Sequence, residues 1–179
     1  ANKMDDYVNL YPFTPELLDL FQQLPFFEKR GVIQFAQKEL KYVLNEKFPF
    51  FFTFDCIYDL IESNPNVRNL EEVFAITKVV NIVKEKIKVT IPLKNQQDAL
   101  KIVKALAVYS LWTEKKSGAT AKELVDNLLI IPESKVLSAT DYLSKIIQDI
   151  RTATDGFYIK VIKDKSSGNG DVNGWCIAK

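Results

Sequence analysis

The chain has 179 residues, 47% of them apolar and 26% charged, and its 24 Lys and Arg against 23 Asp and Glu leave a formal net charge of +1. It contains no histidine and only two cysteines, which excludes Ser-His-Asp and Cys-His nucleophile pairs, His-ligated zinc or haem, a thiolate metal cage and a disulfide framework. The apolar fraction excludes disorder and suffices for a packed core in one ordinary domain or two small ones.

No stretch approaches the ~20 apolar residues of a membrane span, and no signal-like segment opens the chain, so a soluble cytoplasmic protein without membrane contact is expected. The chain starts at Ala1 without Met, as a piece cut from a larger protein would, or a processed one. Charge is mildly uneven. Residues 1–90 carry 11 basic and 13 acidic side chains, leaving 13 and 10 for the rest.

In chain order, Thr14-Pro15-Glu16 opens the first clear helix, with Thr14 as N-cap, Pro15 where a missing N–H costs nothing, and Glu16 favoured by the helix dipole. Leu17, Leu18, Phe21 and Leu24 repeat at helical spacing until Pro25. A second helix is expected over 27–44, where Val32, Ile33, Phe35, Ala36, Leu40, Val43 and Leu44 form a wide apolar face. Residues 48–54 hold five of the twelve Phe, a density that demands burial, so a loop docked into the core is expected there. A short helix over 55–61 should be closed by the turn cluster Ser63-Asn64-Pro65-Asn66. A long amphipathic helix then runs over 70–89, its apolar side built from Val73, Phe74, Ile76, Thr77, Val80, Val83 and Ile87.

Pro92 marks a boundary, because a proline after a periodic run cannot continue it. Beyond it, Asn95 is expected to cap a helix carrying Leu100, Ile102, Val103, Leu106, Ala107, Leu111 and Trp112. Thr120 and Glu123 form a capping box opening a helix over 121–129, and Ser138 and Asp141 nearly match another box for a third helix ending near 150–151. Gly156 stops it. Residues 157–162 and 174–178 read as two strands joined by the turn-rich loop 166–171. Three helices followed by a strand, a glycine-rich loop and a strand make the winged-helix variant of helix-turn-helix. The expected fold is therefore mainly α with a small β-hairpin: a helical bundle over 1–91 and a winged-helix domain over 92–179.

The six glycines fit neither a P-loop nor a dinucleotide-binding fingerprint. Adjacent acids such as Asp5/Asp6 and Glu71/Glu72 diverge on a helix, so they read as solvated faces rather than paired catalytic groups. Cys56 and Cys176 lie in apolar patterns with no basic cluster beside them and read as inert core thiols. The acidic loop near Asp164 lacks the ligand spacing of an EF-hand. No catalytic or metal-binding set emerges.

A winged helix contacts DNA in some proteins and protein in others. Its candidate recognition segment, 133–155, carries Lys135, Lys145 and Arg151 against Glu133, Asp141, Asp149 and Asp155. That balance is poor for a helix among phosphates. Double-stranded DNA would instead meet Lys115, Lys116, Lys160, Lys163 and Lys165, although lysines beside a hairpin also protect a sheet edge.

The run Tyr11-Pro12-Phe13-Thr14-Pro15-Glu16-Leu17-Leu18, followed by Arg30-Gly31-Val32, resembles the C-terminal region of large bacterial AAA-type P-loop ATPases, including the ATPase components of BREX-type phage-defence systems. The motifs that carry this resemblance lie in residues 10–60. It implies that residues 1–91 are lid-like, and that Arg30 matches the arginine such lids point at ATP phosphates, a task suited to a permanently charged bidentate group. ATP and Mg would then belong to the parent protein, with no cofactor in this fragment. The winged-helix part would contact DNA or a partner protein as nucleotide state changes. The alternative is a protein–protein interaction scaffold with no nucleotide or nucleic-acid role.

Overall fold

The computed structural model describes residues 3–25, 37, 41, 51–112, 118–133, 136–163 and 172–178. Helix α1, Lys3–Leu10, leads through a cis Tyr11–Pro12 peptide to α2, Pro15–Gln23. Thr14 caps α2 as its sequence requires: its hydroxyl accepts the Leu17 N–H at 3.2 Å. The buried side of α2 is Leu17, Leu20 and Phe21, with Leu24 at its end. Of the helix expected over 27–44, Gln37 and Lys41 are described, both helical and exposed; the rest of it, Arg30 included, lies outside the described residues.

The described end of the aromatic segment is docked as its composition demands. Phe52 donates its N–H to the Pro12 carbonyl at 2.9 Å and stacks on Phe13 at a 5.2 Å centroid distance, while Phe54 is buried as the first residue of α3, Phe54–Ser63. Asn64 and Pro65 do not merely end that helix. The Asn64 side chain accepts the Asn66 N–H at 3.1 Å and starts a one-turn helix α4, Pro65–Arg68, because Asn-Pro is also an N-cap followed by a first helical residue.

Helix α5, Glu71–Thr90, buries Val73, Ile76, Thr77, Val80, Val83 and Ile87. Phe74, expected on that stripe, is 59% exposed; at about 100° per residue it lies off the line of its neighbours. Helix α6 is Leu93–Leu111, opening two residues before Asn95, with Pro92 as its cap. The Pro92 carbonyl accepts the Asn95 N–H at 2.8 Å, so the proline that ends one helix starts the next.

α6 is the axis of the molecule. From Ala105 to Tyr109 every residue is buried, the signature of a helix enclosed on all sides. It packs against α3, α5, the later helices and the hairpin, and one contiguous set of buried residues runs from Leu17 to Ile177 across Pro92. Lys104 of α6 also pairs with Asp59 of α3 at 2.8 Å.

Helix α7, Ala121–Leu128, carries the full Thr120/Glu123 capping box. Helix α8, Ala139–Ala153, is capped by Ser138, whose hydroxyl accepts the Asp141 N–H at 3.1 Å. Strands β1, Ile159–Lys163, and β2, Val172–Ile177, pair antiparallel, Ile159 opposite Ile177 and Val161 opposite Trp175. β2 has a second neighbour: Ala119, just before α7, exchanges both backbone hydrogen bonds with Trp175 at 2.9 Å. The hairpin is tied to α6 through the Ile177 N–H, which donates to the Ser110 hydroxyl at 3.2 Å. The chain is thus mainly helical with a small antiparallel hairpin.

Candidate functional site

Ser144, Gln148 and Arg151 stand at i, i+4 and i+7 on α8 and therefore share one face. That face looks onto the hairpin. With Ala121 of α7 and Val161, Val172, Asn173 and Trp175 of the strands, it bounds a groove of about 300 Å³. The lining residues offer a hydroxyl, two carboxamides and a guanidinium over an apolar floor, but no carboxylate or thiol. Such a set can hydrogen-bond and orient a ligand, and has no group that exchanges protons near neutral pH.

Arg151 is the organising residue. Its Nε donates to the Ile159 carbonyl at 3.0 Å and its Nη1 to Gln148 Oε1 at 3.3 Å. The guanidinium is turned toward β1 and away from the open side of α8. That open side exposes Asp141, Lys145 and Thr152, a mixed surface rather than a cationic one.

Of the lysines expected to contact DNA, Lys160 and Lys163 are exposed on β1. Lys115, Lys116 and Lys165 lie outside the described residues. Register places Lys160 opposite Cys176, which sequence patterns did not reveal. Burial pushes the Cys176 thiol up, and the nearby Lys160 charge offsets this only in part, so the thiol stays protonated and weakly nucleophilic at neutral pH.

A second hollow, about 90 Å³, lies between the start of α6 and the α7–α8 connection, lined by Lys94, Asn95, Pro132, Glu133, Leu137 and Tyr142. There the Tyr142 hydroxyl donates to Asp98 at 2.9 Å, tying α8 to α6. Burial first, then the Asp98 hydrogen bond and charge, push Tyr142 up to about 12. Burial likewise raises Tyr7, Tyr58 and Tyr109 above the ordinary tyrosine value. All four favour the neutral phenol when folded. Their contribution to stability is complete below the unfolded pKa of about 10 and is lost as pH rises through the folded values. An absorbance titration near 295 nm should therefore show some of the seven tyrosines ionising late, together with loss of helical circular dichroism above about pH 11. Smooth titration of all seven near pH 10 with the helices intact would refute this.

The groove was not visible in sequence beyond its parts. The Ser144, Gln148, Arg151 spacing is a legible polar stripe, but that it meets Asn173 and Trp175 depends on strand register. Among the described residues no cluster of three or more potential metal ligands occurs, and no helix is long and apolar enough to cross a membrane.

A family described as DUF6079 second domain matches residues 1–171. No curated protein and no solved structure matches the chain.

Proposed function

The chain belongs to the DUF6079 second-domain family; from the resemblance of its Tyr11–Leu18 and Arg30–Val32 segments to AAA-type ATPases we propose that it is a non-catalytic part of a larger P-loop ATPase, a rigid connector that presents a binding groove to a partner protein. The observation that carries the binding half is the groove between α8 and the hairpin, hydrogen-bonding in chemistry and free of acid–base groups. Helix, Ala119 bridge, two helices and hairpin fit a winged-helix arrangement, in which α8 and the hairpin form the working face. The connector half is supported by the buried set shared across Pro92. A displacement imposed on residues 1–91 would reach the hairpin through α6, because packed interiors transmit strain rather than absorb it.

The family description as a second domain fits a module preceded by another, and the resemblance to AAA-type ATPases supplies the nucleotide-binding partner and the cytoplasmic setting. Arg30 is the proposed nucleotide sensor. Arg30→Ala in the full-length protein should slow ATP hydrolysis; an unchanged rate would remove the sensor from the reading.

Duplex DNA is the second reading, favoured by exposed Lys160 and Lys163. Against it stand the acidic residues of α8 and the inward turn of Arg151. Titration of a labelled duplex at about 100 mM salt should give no saturable anisotropy change. Saturable binding with a log–log salt slope of about −2 to −4.5, as about two to five phosphate contacts would give, would restore the DNA reading.

A further inference from the structure

We propose that the outer edge of β1 accepts an extended segment of the partner protein as an added strand, one in which acidic and apolar side chains alternate. The inference rests on the protein-contact reading and names the chemistry of the partner. Trp175 spends both its N–H and its carbonyl on Ala119, away from β1. The Val161–Trp175 pair is therefore one whose backbone groups point outward from the hairpin, and by the antiparallel alternation the same holds for Ile159. The Ile159 carbonyl, which accepts from Arg151, confirms the direction.

β2 is thus flanked on both sides, by β1 and by Ala119, whereas no strand pairs with the outer edge of β1 among the described residues. Arg151 caps that edge at Ile159. The Val161 N–H and carbonyl lie next along it, a short template for strand addition.

Side-chain alternation decides what fits. Neighbouring residues on adjacent strands point to the same face. A residue beside Val161 would point over the groove, whose floor is Val161, Val172 and Trp175, and should be apolar. A residue beside Lys160 would share the opposite face with that exposed ammonium and should be acidic. Lys163 extends the positive charge along the edge, and Val172, 53% exposed, leaves apolar surface for a second side chain to cover.

The test uses the isotope-labelled chain and the peptide Ac-Glu-Val-Glu-Val-Glu-Val-NH2. Amide exchange at Val161 should slow about tenfold or more at saturating peptide, while a peptide with Lys in place of Glu should bind about tenfold more weakly. Val161→Pro should abolish binding and keep the hairpin, because that N–H is not part of the β1–β2 ladder and proline is tolerated on edges. Should that variant fail to fold, the surface double change Lys160→Glu with Lys163→Glu should still weaken binding about tenfold. Absence of Val161 protection, or equal binding of the two peptides, would overturn the inference. Perturbation confined to Leu137 and Tyr142 would overturn it while leaving the protein-contact reading intact. Duplex DNA shifting Lys160 and Lys163 with the peptides silent would overturn both.

Discussion

Tyr109→Ala should destabilise the chain by about 3–5 kcal/mol, the range for deleting a large aromatic side chain from a packed core. Tyr109 is 1% exposed. Its ring lies 5.5 Å from Phe54 of α3 and 5.9 Å from Trp112, and its hydroxyl accepts a hydrogen bond from the buried Asn127 amide of α7. One side chain therefore joins elements on both sides of Pro92. For a chain of this size each kcal/mol moves the melting midpoint by roughly 2–4 °C, so a drop of about 6–20 °C is expected. The shape of the transition matters as much as its midpoint. If residues 1–91 and 92–179 share a core, melting remains one cooperative step that shifts as a whole. Two resolved steps, only one of them displaced, would refute the rigid connector. Tyr109→Phe separates packing from polarity: it keeps the ring but strands the Asn127 amide, at a cost of about 1–3 kcal/mol.

The legible parts of this fold are those whose signals are local. Thr14, Thr120 with Glu123, and Ser138 each cap the helix their sequence announces, because a capping hydroxyl needs only the three residues that follow it. The failures are equally specific. The apolar pattern assigns Phe74 to a stripe it does not share, since hydrophobicity alone does not fix rotation about a helix axis. Pro92 signals a stop in sequence and is also a start, so the cap role expected of Asn95 belongs to Pro92, three residues earlier. The site was less legible than the fold for a physical reason: its residues come from α7, α8 and two strands, and only register and crossing geometry bring them together. Arg151 illustrates this. Counted as one charge on a helix it bears on phosphate affinity, whereas its bond to Ile159 makes it part of a sheet edge. Lys160 and Cys176 are sixteen positions apart in the chain, and nothing short of the strand pairing places them opposite.

Gly118→Ala should be nearly as damaging as loss of the Tyr109 ring, and more selective in what it breaks. Gly118 has φ of 73°, a left-handed conformation that costs a residue with a Cβ about 1–2 kcal/mol. A Cβ there would also run into the Trp175 carbonyl and lie 2.5 Å from Ile162 Cδ1. The isoleucine tip can rotate away; the carbonyl cannot, since it is the acceptor for the Ala119 N–H. Relief requires the Ala119–Trp175 pair to open, losing two backbone hydrogen bonds of about 0.5–1.5 kcal/mol each. The total is about 2–5 kcal/mol by these two contributions. Gly174→Ala attacks the same bridge from the other strand, where a Cβ would stand 2.6 Å from the Ala119 carbonyl. Because both changes break one contact, the double variant should be destabilised by less than the sum of the two. Trp175, 7% exposed, is the reporter: its emission should shift red in either variant at temperatures where α6 remains helical. A Gly118→Ala protein within about 0.5 kcal/mol of the parent would show that the bridge is incidental. If instead the bridge opens, β2 gains a free edge of its own, and the acidic peptide should lose its preference for Val161.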